Sequence, residues 1–160
     1  MNITRRTLFG ASAATLALAA CAGQTTSQLQ ADVSAIATGV QSVVTDLAAT
    51  PGVHVPPATL AQINTTLATI KADAAQIGAT LAPGQSVVQE FSMAVNDLVP
   101  LLTPFFSAAP AVAATVQAAV TLAQVVLSEA GVTKVGATDP AAVAQARLVL
   151  RGAALRAVTP

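Results

Sequence analysis

The chain has 160 residues, 54% of them hydrophobic, 9% charged and 2% aromatic, with seven Lys and Arg balanced by seven Asp and Glu. That is one domain's length and enough to bury a core, while a formal charge of zero excludes a general nucleic-acid binder, which needs a basic surface against phosphates. One Cys and one His exclude an intramolecular disulfide framework and a cysteine-based zinc or iron–sulfur cage.

Met1 to Ala22 has distinct parts. Arg5 and Arg6 form a basic head with no acid before them, and Leu8 to Ala20 is an apolar run of 13 residues. Such a run has the length of a signal h-region and is too short to cross a bilayer. Thr4-Arg5-Arg6-Thr7-Leu8-Phe9 resembles the twin-arginine export motif, in which paired arginines precede a polar residue and two large apolar ones. Leu18-Ala19-Ala20-Cys21 resembles the lipobox of bacterial lipoproteins, which implies a diacylglycerol on the Cys21 thiol and cleavage just before it. Ordinary Sec signals also carry paired arginines, and cleavage at Ala17-Leu18-Ala19 would leave Cys21 a free thiol. The only cysteine standing where the apolar run ends favours acylation. Ala22 replaces the aspartate of inner-membrane sorting, so the resemblance implies the outer membrane. It covers residues 1–22 alone and carries nothing about the remaining domain.

The expected organisation is therefore a signal peptide over 1–20, a lipidated Cys21 with a short polar tether over 21–26, and a domain over 27–158. Beyond the signal, five cations oppose seven acids, a charge of −2.

The first periodic segment runs from Ser27 to Ala49. Leu29, Val33, Ile36, Val40, Val43 and Leu47 fall 4, 3, 4, 3 and 4 apart, on one stripe of a helix. Ser27 with Gln30 suits a capping box, and Pro51-Gly52 ends the segment. The second segment, Ala58 to Leu81, repeats the pattern with Leu60, Ile63, Leu67, Ile70, Ala74, Ile77 and Leu81, a capping box at Thr59 and Gln62, and a stop at Pro83-Gly84. Two such stripes joined by a short linker predict an antiparallel hairpin. Their outer faces carry Ser, Thr, Gln and Ala in place of Lys and Glu, which leaves self-association open.

A third segment, Ser86 to Ser107, keeps the spacing through Phe91, Val95, Leu98, Leu102 and Phe105. Pro100 and Pro104 predict a kink or break near Val99. The fourth starts at Pro110 and ends at Gly131, with Val112, Val116, Ala119, Ala123, Val126 and Ala130 on one side. Asp139-Pro140 offers an N-cap and a first-turn proline for a fifth, reaching about Val158, with a stripe of Val143, Ala146, Leu150 and Ala154. Leu98 to Ser128 holds no charged residue, but its prolines and glutamines argue for a core hairpin over a membrane span. The predicted fold is all-α, an up-and-down bundle of four to five helices with the third kinked by prolines.

Catalytic chemistry finds few groups. His54, the only imidazole, lies in the proline-bounded connector Val53–Pro57 and reads as an ordinary loop residue, since catalysis or metal binding needs partners. Glu90 and Asp97 share a helical face seven positions apart, too far to share a proton. No Glu-x-x-His, G-x-S-x-G or phosphate loop occurs. No catalytic residue, metal or cofactor is expected, and the chain reads as a non-enzyme.

Two features remain. Phe91, Leu98, Leu102, Phe105 and Phe106 would line an apolar pocket if the proline kink opened one. Arg147 and Arg151 share one face of the last helix and would meet anionic lipid or an acidic partner, unless they serve only to complement the helix dipole. The sequence thus points to an exported, lipid-anchored, non-enzymatic bundle on the periplasmic face of a bacterial envelope, acting as a structural or interaction module. Its partners would be the membrane, through the acyl chains, and a second copy or an envelope protein. The alternative is a periplasmic binding protein for an apolar small molecule or lipid.

Overall fold

A computed structural model of the chain describes residues 12–79, 84–132 and 139–158, with side chains from Ser27 to Arg156 within those ranges. Five helices follow one another: α1 (Ser12–Ala49), α2 (Pro57–Ala79), α3 (Gln85–Leu102), α4 (Pro110–Glu129) and α5 (Pro140–Val158), with a 3₁₀ turn at Thr103–Phe105. Among the described residues there is no strand, and the chain is an all-α, up-and-down bundle.

Helix ends follow local chemistry where the required residue stands at the boundary. Gly52 takes φ +78° and Gly131 φ +70°, the left-handed conformation that a side chain disfavours. At Gly131 the closure is a Schellman motif: Gly131 N–H donates to Ser128 O at 3.1 Å and Val132 N–H to Leu127 O at 3.0 Å, while Val132 and Leu127 both pack on the core. Asp139 caps α5, its Oδ1 accepting the Ala141 N–H at 2.9 Å, with Pro140 in the first turn.

Three boundaries and one stripe differ from expectation. The backbone of residues 21–26, expected as a tether, is helical and continuous with α1, so Ser27 stands inside the helix and cannot cap it. α2 begins at Pro57, because proline's fixed φ favours a first helical turn; Thr59 therefore lies within that turn and forms no capping box. The third helix runs through Pro100 and bends into the 3₁₀ turn only after Leu102. Pro100 removes one N–H donor, but Thr103 sends both its backbone N–H and its hydroxyl to Val99 O, the latter at 2.6 Å, which holds the next turn together. In α5 the buried stripe is Ala146, Leu150 and Ala153, with Ala154 half-buried.

α1 packs on α2, α4 and α5; α4 packs on α1, α3 and α5; and α2 joins α1 to α3. Helices α1 to α4 thus close in cyclic order, and α5 covers the seam between α1 and α4. The six expected stripe residues of α1 are all buried, as are Phe91, Val95, Leu98 and Leu102 of α3. α4, with three neighbours, also buries Thr115, Ala118 and Leu122. It is the one helix among the described residues long and apolar enough to cross a membrane, with mean hydropathy 1.7, and half of that stretch is buried inside the bundle. α2 has neighbours on one side only and buries Ile63, Ile70, Asp73 and Ile77.

α1 also has a second face. Asp32, Gly39 and Asp46 recur every seven residues, two helical turns apart and therefore in line, and this line meets α5. A Cβ on Gly39 would lie 2.5 Å from Leu150 Cδ2 and 3.3 Å from Leu150 Cα, so glycine here lets the two backbones approach. Gly39→Val is expected to cost about 1–3 kcal/mol through overpacking, with partial recovery in Gly39→Val/Leu150→Ala. Urea unfolding of the four-member cycle checks this; equal losses in the single and double variants would refute the close contact.

Candidate functional site

The up-and-down topology brings the first bundle turns of α1, the end of α2, the start of α3, the end of α4 and the start of α5 to one pole. Gln30 Nε2 on α1 donates to Gly78 O on α2 at 3.3 Å here. The strongest polar contact in the bundle lies at this pole. Arg147 Nε donates to Asp32 Oδ1 at 2.7 Å and Nη2 to Oδ2 at 2.6 Å, a planar two-point pairing that only a guanidinium offers. Asp32 is 2% exposed, so Arg147 supplies the counter-charge that lets a carboxylate be buried.

Glu129, at the end of α4, has a buried Oε2 with no hydrogen-bond partner. Burial raises its pKa first and Asp32 adds to that, while Arg147 opposes both. Its position is also unfavourable to the helix dipole, which disfavours negative charge at a C-terminus. Across the pole, Asp73 sits on the core stripe of α2 between Ile70 and Ile77. It is 7% exposed, its Oδ2 is unpartnered, and burial followed by the nearby Glu90 carboxylate raises its pKa. The pole therefore holds one charge-paired acid and two acids whose pKa burial raises. Toward the other end of the α1–α5 seam, Arg156 approaches Asp46 at 3.6 Å, and the buried Ser42 hydroxyl donates to Gly39 O at 2.9 Å.

The residues singled out from sequence are placed as follows. Arg5 and Arg6 lie outside the described residues, and Cys21 lies in the stretch of α1 whose side chains are not described. His54 is exposed in the α1–α2 connector. Phe91, Leu98 and Leu102 are fully buried in the hydrophobic core, with Phe105 and Phe106 half-buried against it. The aromatic cluster thus fills core space, and the first three offer no surface to a ligand without opening the bundle. An open groove does lie beside Pro100, on the α2–α3 side, with a volume of about 470 Å³; Gln62, Thr66, Asp97 and Leu101 are among its walls. Arg147 and Arg151 part company: Arg147 turns inward to Asp32, and Arg151 stays exposed.

Sequence reasoning missed the buried acids. Asp73 was legible, since Ile70, Asp73 and Ile77 are 3 and 4 apart and the acid stands on the apolar stripe. The Asp32–Arg147 pair joins positions 115 apart, and no local pattern announces it. Among the described residues no group of three or more His, Cys, Asp or Glu side chains is placed to hold a metal ion. No protein family, curated protein or solved structure matches the chain.

Removing the guanidinium leaves a buried carboxylate without its counter-charge. Arg147→Ala is expected to cost about 3 kcal/mol, the low end for exposing a buried ion pair because Arg147 keeps 29% of its side chain exposed. Asp32→Asn in the same chain should recover part of the loss, and thermal unfolding of the double-mutant cycle reads the coupling.

Asp73 gives a pH prediction of definite sign. Its folded pKa lies above the unfolded value, so the folded state holds the proton more tightly in the interval between them. Its ionisation penalises folding in full above the folded pKa, and the penalty disappears as pH falls through that value toward the unfolded one. Asp73→Leu should raise stability at pH 7 by on the order of 1 kcal/mol and flatten the gain on acidification, as measured by urea midpoints between pH 7 and pH 4.

Proposed function

We propose that the chain is an exported bacterial lipoprotein, anchored through acyl chains on Cys21, whose helical bundle is a non-enzymatic structural or interaction module of the cell envelope. Residues 1–20 serve as a twin-arginine-type signal, 21–26 join the anchor to the domain, and 27–158 form the bundle on the periplasmic side, at the outer membrane in preference to the inner. The observation that carries this reading is the chain's only cysteine, preceded by Leu18-Ala19-Ala20 at the end of an apolar run that follows Arg5-Arg6. Two or more acyl chains hold a protein at a membrane without any further insertion, at about 0.8 kcal/mol per buried methylene.

A second reading, a binding protein for an apolar small molecule or lipid, is supported by the open groove beside Pro100. Noncovalent mass retained by the protein in a gentle native spectrum would favour it.

The anchor is tested by mass spectrometry of the protein extracted from its host's envelope. The expected species begins at an acylated Cys21, and Cys21→Ser abolishes it. A soluble product that begins at Ala20 and carries a free thiol would overturn the proposal.

A further inference from the structure

The charges of the bundle are segregated by helix. From Ser27 to Glu129 the acids are Asp32, Asp46, Asp73, Glu90, Asp97 and Glu129, and the only cation is Lys71. α5 is the reverse, with Arg147, Arg151 and Arg156 and no acid. α5 also carries two of the three large hydrophobic side chains that stand exposed among the described residues, Leu148 at 69% and Leu155 at 71%. They are seven positions apart and so share the outward face, where Ala141 and Ala144 are exposed beside them.

At about 100° per residue, Arg151 falls to one side of this leucine ridge and Arg156 to the other. Arg151 makes no ion pair among the described residues, and Arg156, although 3.6 Å from Asp46, keeps half its side chain exposed. A shallow groove lined by Ala111, Ala114, Leu148 and Gly152 extends the apolar surface onto α4. Leucines projecting between flanking arginines match the interfacial arrangement, with apolar side chains entering the acyl boundary and guanidinium groups reaching back to phosphate. Of the exposed acids, Glu90 and Asp97 belong to α3, whose main packing partners are α2 and α4, and Asp139 stands at the N-terminal end of α5, two turns before Leu148, where its Oδ1 accepts the Ala141 N–H.

We propose that the outward face of α5 docks against an anionic lipid surface, so that the anchored bundle lies on its side with α5 beneath it. The proposal rests on the lipid-anchored reading above. Two leucines, Arg151 and the half-exposed Arg156, which is also 3.6 Å from Asp46, bind weakly by themselves. An anchor on the same chain makes the contact intramolecular, at high effective concentration, so this face sets orientation and the acyl chains set location. Arg147 takes no part, because it is committed to Asp32.

The chain has no Trp or Tyr, so a single introduced tryptophan reports its surroundings without background. The lipidated mature chain, beginning at Cys21, is reconstituted in phosphatidylcholine vesicles and in vesicles containing phosphatidylglycerol, as Leu148→Trp, Leu155→Trp and, on α3, Met93→Trp (Met93 is 58% exposed). The two α5 reporters are expected to shift to shorter wavelength and to be quenched by brominated acyl chains in anionic vesicles only, while Met93→Trp stays unchanged in both. Arg151→Gln should lower the docked-to-free ratio about fivefold, the equivalent of ~1 kcal/mol per surface cation. Co-sedimentation with vesicles but no dependence on lipid charge would overturn the docking and leave the anchor standing. Failure to co-sediment would overturn both. A shift that follows protein concentration and ignores lipid would assign the face to a second copy of the chain and overturn the lipid proposal.

Discussion

α1 must satisfy two interfaces at once, and the close seam with α5 depends on Gly39 having no side chain. One face of α1 is a stripe of branched aliphatics that closes the ring of four helices. The other is a line of Asp32, Gly39 and Asp46 that receives α5. Leu150 rests against Gly39, and ion pairs stand on either side of it, at Asp32–Arg147 and Asp46–Arg156. The apolar footprint of α5 is modest, one leucine and two alanines fully buried. Its position therefore depends on close backbone approach and on charge, where the other helices depend mainly on bulk.

That dependence explains the uneven distribution of charge. A bundle with so few charged residues cannot spread them for solubility; each one present is noticed. The acids collect on α1 to α4 and the arginines on α5, so attraction between the two parts assists docking of the last helix. The cost falls at the pole where Asp73 and Glu129 keep buried oxygens without partners. Burial raises the pKa of both, so ionisation of either carboxyl works against the packing at this pole.

Much of the fold was legible because its signals are local. The six-residue stripe of α1, the Gly131 stop and the Asp139-Pro140 start each act within a turn or two of their own position. The stripes also named four of the seven buried residues of α3 and five of the eight of α4. What escaped had non-local causes. Pro57 overrode the capping box at Thr59, and Thr103 carried α3 past Pro100. Arg147 was read as a surface cation because its partner is far away in sequence. Of the aromatic residues expected on the third helix only Phe91 lies on α3, Phe105 and Phe106 falling in and after the 3₁₀ turn, and whether such side chains fill a core or line a pocket depends on neighbours that no spacing specifies. The candidate docking face was half visible: Arg151 was singled out, whereas the exposure of Leu148 and Leu155 required the tertiary arrangement.

The parallel alignment of α1 and α5 also sets an order of events during synthesis. Asp32 lies on the first helix of the bundle, while its guanidinium arrives more than a hundred residues later. Until then, a growing chain can close the ring of α1 to α4, with Asp32 left hydrated on its surface. Arrival of α5 converts that exposed acid into a buried one. The seam excludes water only when both ends of the domain are present, so a chain interrupted before Pro140 would leave Asp32 and Gly39, which α5 covers in the finished protein, facing solvent.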